Sequence, residues 1–354
     1  MKLTIGTVRL QAMLNKAVRG AGCNKNIPMT SLIAIKLEDG TLTLTTTDAT
    51  QYLSLVEKNV VGDNLYVAVQ VDLLAKLVSR FTCDEVTLEV TDSSLDVIGN
   101  GKYQIEIQLD DDGTPTKLPN PIESFEKNNK IGETNSQTIL TALNSVKPAL
   151  ATTVDYPWYT CYYVGENILG TDNLTIANCP QGFLKEPKLI SGIVMDLLGL
   201  FSGNISVYAN DDKMLFECEN GAVYGEIPAG IEYYSIEDIE GLVVQKFDSS
   251  CKVVKSSLFN LLDRISLFMS AYDDEKITLT FDEDGLTVSS KYATETIPYV
   301  ESHNPGEFVC KTYLNTLLTI VKAQSNGEFV IEYGEENAIK LIDREITSVV
   351  ALVS

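Results

Sequence analysis

The chain has 354 residues, 44% of them hydrophobic, and a formal net charge of −22. That is apolar material for two or three domains of about 100–200 residues each, and no apolar run approaches the ~20 residues of a bilayer span. Met1-Lys2-Leu3-Thr4-Ile5 alternates like a strand and has no secretory core, while seven scattered cysteines, never spaced C-x-x-C, indicate neither a disulfide framework nor a zinc site. Reduced, structural thiols in a soluble cytoplasmic protein are expected, with no membrane contact.

From the N-terminus, a first helix is predicted over 8–20, with Leu10, Met13, Leu14, Ala17 and Val18 on one face. The turn pair Asp39-Gly40 introduces the alternating strand Thr41 to Thr45. A second helix over 71–81 places Leu74, Leu77, Val78 and Phe81 at i, i+3, i+4 and i+7, and alternation resumes at Val86, Leu88 and Val90. The succession then recurs. Ile139, Leu143, Val146 and Leu150 mark a helix in 136–150; Val194, Leu197, Leu198 and Phe201 mark another in 191–202; Ile205, Val207 and Ala209 alternate after it. In the last third, Leu258, Leu261, Leu262, Ile265, Phe268 and Met269 mark a helix in 255–270. Strands around Asp284-Gly285 follow, then a helix in 311–323 with Leu314, Leu317, Leu318 and Val321, then Phe329, Ile331 and Tyr333.

The second-helix sets begin at Leu74, Val194 and Leu314, spaced 120 residues apart. A period of that length is a tandem domain, since solenoid units run about 20–50 residues. Turn and breaker residues at Asp110-Asp111-Asp112-Gly113-Thr114-Pro115 through Pro121, and at Pro228-Ala229-Gly230 with the acidic stretch Glu232 to Glu240, mark the boundaries. Three α+β domains are expected, at 1–121, 122–243 and 244–354, each with two helices covering one face of antiparallel strands.

The six helix windows hold ten basic residues (Arg9, Lys16, Arg19, Lys76, Arg80, Lys147, Lys255, Arg264, Lys311 and Lys322) against three aspartates (Asp72, Asp196 and Asp263) and no glutamate. The rest of the chain is therefore more acidic than the total of −22 suggests. Basic helices gathered on one side would suit a phosphate backbone, and without a base-reading signature the contact would be sequence-independent. Catalytic constellations are missing. The one histidine, His303, reads as part of a turn; Gly20-Ala21-Gly22 is not followed by Gly-Lys-Ser/Thr; and Asp110-Asp111-Asp112 lacks calcium-loop spacing. No enzyme and no cofactor is expected, and among 49 acidic residues no spacing singles out a glycosidase pair.

The run Asn26-Ile27-Pro28-Met29-Thr30-Ser31-Leu32, then Leu37-Glu38-Asp39-Gly40-Thr41-Leu42-Thr43-Leu44-Thr45-Thr46-Thr47-Asp48, the second Thr-Asp at Gly170-Thr171-Asp172-Asn173, and the apolar end Val349 to Val353 together resemble the bacterial sliding clamp, the beta subunit of DNA polymerase III. The resemblance spans the chain. It implies three tandem clamp domains, each of two helices packed on antiparallel sheets, in a head-to-tail homodimeric ring whose helices line a channel around double-stranded DNA. Polymerase and clamp-loader subunits would dock through short linear peptides. Their pocket would involve Tyr159, Thr171, Asn173, Ile176, Pro228, Val349, Ala351 and Val353. Where the family usually shows Gly-His-Arg-Leu after Thr-Asp, this chain has Asn173-Leu174-Thr175-Ile176, so a more aliphatic pocket is expected. The dimer contact would set Phe268 and Met269 against Tyr103 and Ile105, unless the first pair is plain core. Lys25 and Trp158 join the candidate DNA residues, and Trp158 serves either duplex approach or packing. The alternative reading is a non-enzymatic binding module of three β-rich domains, such as a phage or surface assembly protein.

Overall fold

The structure, a computed structural model, describes residues 1–22, 24, 26–110, 113–153, 157–228, 236–268, 276–304 and 306–353. Each third of the chain follows one succession: a strand, a helix, four strands, a helix and three strands.

In the first third these are β1 (Lys2–Gly6), α1 (Thr7–Gly20), β2 (Leu32–Glu38), β3 (Thr41–Thr47), β4 (Gln51–Glu57), a short extra β5 (Val61–Gly62), β6 (Leu65–Gln70), α2 (Val71–Val78), β7 (Glu85–Val90), β8 (Ser94–Ile98) and β9 (Lys102–Glu106). A helical turn, α3 (Pro121–Ser124), leads into β10 (Lys130–Asn135), α4 (Ser136–Ser145), β11 (Cys161–Val164), β12 (Ile168–Thr171), β13 (Thr175–Cys179) and β14 (Lys188–Ser191). The second third closes with α5 (Gly192–Leu198), β15 (Asn204–Ala209), β16 (Lys213–Cys218) and β17 (Gly221–Glu226). Helix α6 (Ile236–Val244) precedes β18 (Ser249–Val254), α7 (Lys255–Ser266), β19 (Lys276–Phe281), β20 (Leu286–Ser289), β21 (Thr294–Ile297), a short β22 (Glu301–His303) and β23 (Phe308–Tyr313). Last come α8 (Leu314–Ala323), β24 (Glu328–Tyr333), β25 (Ala338–Asp343) and β26 (Ile346–Ala351).

The local reasons are plain. Asp39 and Gly40 both have positive φ, 49° and 76°, the geometry of a two-residue hairpin turn that matches strand twist. Helices α1, α2, α4, α5, α7 and α8 each follow a strand without a loop. Their apolar faces, including Leu10, Leu14, Leu74, Val194, Leu197, Leu258, Leu261, Leu314 and Leu317, are buried. Fully burying one such side chain stabilises by about 1.5–3 kcal/mol.

In every third, the leading strand pairs with the strand after the second helix and the closing strands continue as a meander: β1-β7-β8-β9, β10-β15-β16-β17 and β18-β24-β25-β26. The middle strands form β6-β2-β3-β4, β14-β11-β12-β13 and β23-β19-β20-β21. The last meander strand of one third then joins the middle sheet of the third before it. β17 pairs antiparallel with β4, Val223 opposite Leu53, and β26 with β13, Val349 opposite Ile176. The products are an eight-stranded and a nine-stranded sheet. By the same rule β9 and β21 are the two strands whose junction partners are missing; each ends its sheet.

Two compact units result: Met1–Ser136 with Ile193–Ile227, and Gln137–Gly192 with Pro228–Ser354. The middle third divides between them because each of its half-sheets is continuous with a neighbour's. In the first unit α1 packs on α2, β3 and β4; in the second α7 packs on α8.

Several expectations need correction. The helix predicted from 311 begins at Leu314, so Lys311 lies on β23, and Arg80 lies two residues past the end of α2. The window 136–150 is α4 plus a separate 3-10 turn at Lys147–Ala149, because Pro148 cannot continue the α-helical bonding. Helix α7 ends at Ser266, leaving Phe268 59% exposed and outside the core. The acidic stretch before the last third contains α6, in which Ile236, Ile239, Leu242 and Val243 recur at helical spacing. His303 is on the edge strand β22, paired opposite Ser250.

Gly221 sits at the β17–β4 junction with φ 149°, and a Cβ there would strike the Ser54 carbonyl oxygen and lie 2.9 Å from the Phe201 ring. Gly203, with φ 82°, has open space around it. Gly221→Ala is expected to cost more than about 2 kcal/mol against about 1 kcal/mol for Gly203→Ala, read from urea midpoints. Equal midpoints would mean the junction tolerates separation.

Candidate functional site

The Thr-Asp pairs are a turn device that the chain uses twice. Thr47 Oγ1 donates to the Gln51 carbonyl at 2.6 Å and accepts from Ala49 N, while Asp48 Oδ1 accepts from the backbone N–H groups of Thr50 and Gln51. In the second copy Thr171 Oγ1 donates to the Thr175 carbonyl at 2.6 Å and accepts from Asn173 N, and Asp172 Oδ1 accepts from Leu174 N and Thr175 N. Such turns replace backbone partners with side-chain oxygens. Each holds one residue at positive φ, Ala49 at 85° and Asn173 at 76°. Asparagine tolerates that conformation better than most residues.

The second turn projects beside the β13–β26 junction, where a cavity of about 250 Å³ opens. Ile176 and Val349, directly opposite each other, form its floor with Ala338, and Ala351 lies at the strand end. Asn173, Leu174 and Thr175 form one wall, and Tyr159, from a 3-10 turn at Pro157–Thr160, another. Helix α6 contributes Asp238, Ile239 and Leu242. Leu169, Ile176, Ile239, Ala338 and Val349 are one buried cluster against which Tyr163, Leu242 and Val243 pack. Burial raises the Tyr163 phenol above its usual range, and the Glu240 carboxylate beside it adds to the shift.

Six of the eight sequence-predicted pocket residues line this cavity: Tyr159, Thr171, Asn173, Ile176, Val349 and Ala351. Pro228 and Val353 do not; Val353 N instead donates to the Lys311 carbonyl at 2.8 Å. Sequence reasoning missed the α6 wall, although its three- and four-residue spacing was available. It also missed Lys340. This β25 lysine is 4% exposed; its ammonium donates to the Gln245 carbonyl just past the end of α6, pairs with Glu332 at 3.3 Å and lies 5.1 Å from the centre of the Phe247 ring. It fastens the C-terminal end of α6 to the sheet that floors the cavity.

The basic residues fall into two groups. Arg9 pairs with Glu57 at 3.2 Å, Lys76 with Asp72 at 3.3 Å, and Arg264 grips both carboxylate oxygens of Glu295. Lys255 is turned inward, donating to the carbonyls of Lys322 and Gln324 at the end of α8. Lys16 lies 5.9 Å from the Phe201 ring centre. Arg19 and Lys322, in the last turns of α1 and α8, and Arg80 and Lys311 are exposed and have no carboxylate partner among the described residues. Lys147 is exposed on its 3-10 turn; Trp158 is half-buried, its ring 6.0 Å from that of Tyr159. Of the expected dimer residues, Tyr103 and Ile105 lie on β9. Ile105 is buried in its own sheet, while Tyr103 is 42% exposed with its ring 5.6 Å from Phe81. Lys25 and Met269 lie outside the described residues.

Among the described residues no group of His, Cys, Asp and Glu is arranged to hold a metal, and no helix is long and apolar enough to cross a membrane. The buried thiols are inert by environment: burial pushes Cys218 and Cys251 up to about 12.

The fold is thus three repeats of two helices and two half-sheets, with an apolar cavity at the second junction. Solved structures with this fold include DNA polymerase III beta subunits. That of Streptococcus pyogenes has a TM-score of 0.85 at 13% identity, covering 100% of both chains. The Pseudomonas aeruginosa protein gives 0.83 at 14% identity, again over 100% of both. The sliding clamp from Bartonella birtlesii, solved bound to griselimycin, gives 0.83 at 16% identity over 100% of this chain and 99% of that one. No protein-family model and no curated protein matches the sequence. The chain therefore has the sliding-clamp fold along its whole length.

Lys340→Ala would strip a donor from the Gln245 carbonyl and a partner from Glu332. A loss of about 1–3 kcal/mol is expected, with faster amide hydrogen exchange confined to 236–244. Unchanged exchange there would show that α6 is held by its apolar face alone.

Proposed function

We propose that this chain is a DNA sliding clamp: a non-enzymatic, cytoplasmic processivity factor that closes as a head-to-tail homodimer around duplex DNA and tethers a polymerase. The observation that carries the reading is the pair of open edges. The fold twice joins the last meander strand of one third to the middle sheet of the preceding third, and β9 and β21 are the unmatched halves of that junction. A second copy, bringing its β21 to β9 and its β9 to β21, closes six domains, three from each chain (1–121, 122–243 and 244–354), into a ring. Exposed strand edges are otherwise a liability for aggregation, and a heterologous contact that closes gives a finite ring. Phe268, exposed near the end of α7, and Tyr103 on β9 would flank the contact.

In this reading helices α1, α2, α4, α5, α7 and α8 line the channel, and the contact with phosphates falls mainly to Arg19, Arg80, Lys311 and Lys322, with Lys16 and Lys147 in support. Arg9, Lys76, Arg264 and Lys255 contribute less because their charges are engaged. The cavity on the β13–β26 junction takes short linear peptides from polymerase and clamp-loader subunits.

Electron microscopy of the purified chain, with mass measurement at the same concentration, is the direct test. Closed six-lobed rings of two chains are expected; particles without a hole at a monomer mass would refute the ring. Phe268→Asp should give monomers with an unchanged far-UV circular dichroism spectrum. On nicked circular DNA, Arg19→Glu/Arg80→Glu/Lys322→Glu should shorten retention more than Arg9→Glu/Lys255→Glu/Arg264→Glu. The reverse order would place the duplex elsewhere.

A further inference from the structure

The cavity's charge is one-sided. Its floor and walls are aliphatic or neutral, and among the described residues the one charged side chain lining it is an acid, Asp238. Asp238 belongs to the first turn of α6 together with Glu237, and Glu240, one residue past the inward-facing Ile239, lies close enough to Tyr163 to shift its phenol. Across the opening, Asn337 lines the cavity next to the exposed Glu335 and Glu336 of the β24–β25 turn. Lys340, the one buried basic side chain of this region among the described residues, is engaged by the Gln245 carbonyl, Glu332 and the Phe247 ring. Thr175, on the turn wall, offers no charge, and its hydroxyl donates to Asp172.

We infer that the occupant is a peptide with an aliphatic anchor and lysine or arginine beside it, and that Asp238 and Glu240 set this preference. The inference rests on the peptide-docking reading above and adds the sign of the partner's charge. Size and polarity argue for an anchor rather than a whole small ligand: drug-sized ligands fill about 300–1,000 Å³, and this cavity holds about 250 Å³. One or two aliphatic side chains fit the space between Ile176, Val349 and Leu242. The flanking backbone then passes α6, where each exposed ion pair adds a little affinity and much selectivity against the opposite charge.

Three fluorescent decapeptides sharing a central Leu-Leu pair, flanked by Lys/Arg, by Ser/Gly or by Asp/Glu, would be titrated against the full chain by anisotropy at low and at about 0.5 M salt. The Lys/Arg peptide should bind roughly three- to ten-fold tighter than the Ser/Gly one and the Asp/Glu peptide correspondingly weaker, with the order collapsing in high salt. Asp238→Asn with Glu240→Gln should erase the order while leaving the Ser/Gly peptide's affinity in place. Val349→Asp should abolish all three, which locates binding in the cavity.

Equal or inverted affinities that still vanish in Val349→Asp would overturn the charge preference and leave the pocket standing. Binding of no peptide by a chain that still forms rings would overturn both this inference and the docking reading. Persistence of the order in the Asp238/Glu240 variant would overturn the role of those two carboxylates.

Discussion

Everything in this fold depends on what a strand edge does with its unpaired N–H and C=O groups. A buried backbone group without a partner costs about as much as a lost hydrogen bond, and an exposed edge invites pairing with any other chain. The chain answers by giving each third two half-sheets and joining the last strand of one to the middle sheet of another. The two joins are built alike: antiparallel, with Val223 opposite Leu53 at one and Val349 opposite Ile176 at the other. This also explains why the compact units do not coincide with the sequence thirds, since a continuous sheet binds half of the middle third more tightly to its neighbour than to its own other half.

The cavity is a consequence of the same construction. A linker must cross each join, and both linkers are short helices laid on it. At the first, Ile122 and Phe125 pack with Tyr52, Tyr224 and Leu215, the rings of Phe125 and Tyr224 meeting edge to face at 6.1 Å. Aromatic bulk fills that join. At the second, the residues in the positions of Tyr52 and Tyr224 are Ile176 and Val349. The smaller aliphatic pair leaves space that α6 roofs but does not fill. A cavity therefore arises at one of two otherwise similar junctions through side-chain volume, without any change in backbone design.

Much of this was legible in the sequence, and the reasons follow the physics. Leu74, Val194 and Leu314 announced the repeat because a helix that packs on one sheet must keep its apolar stripe. Thr171, Asn173 and Val349 were found through resemblance, and the hydrogen bonds of the Thr-Asp turn explain why those residue types stand there. Helix α6 was hidden because acids on its exposed face dominated the composition and Ile239 and Leu242 looked incidental. Lys340 was hidden for a different reason. A lysine in an alternating strand reads as solvent-facing, and only the carbonyl of Gln245 and the ring of Phe247, distant in sequence, give its ammonium a place inside. The end of α7 failed in the opposite direction: Phe268 fits the apolar period, but the helix stops at Ser266 and the ring turns out to solvent.

The electrostatics bear on how such a ring would hold its DNA. A protein of net charge −22 cannot retain a duplex by bulk attraction. Among the described residues, at least four of the ten helix-window cations are already engaged by carboxylates or helix-end carbonyls. Each phosphate contact contributes about one unit of salt slope, so the few remaining cations would support only a weak, salt-sensitive association. Weak local contact is what sliding requires, because every step along the duplex breaks and remakes it. Retention would then be supplied by closure, and closure by the pairing of β9 with β21. On this reading the hydrogen bonds along one strand edge, rather than the basic residues, set how long the protein stays on DNA.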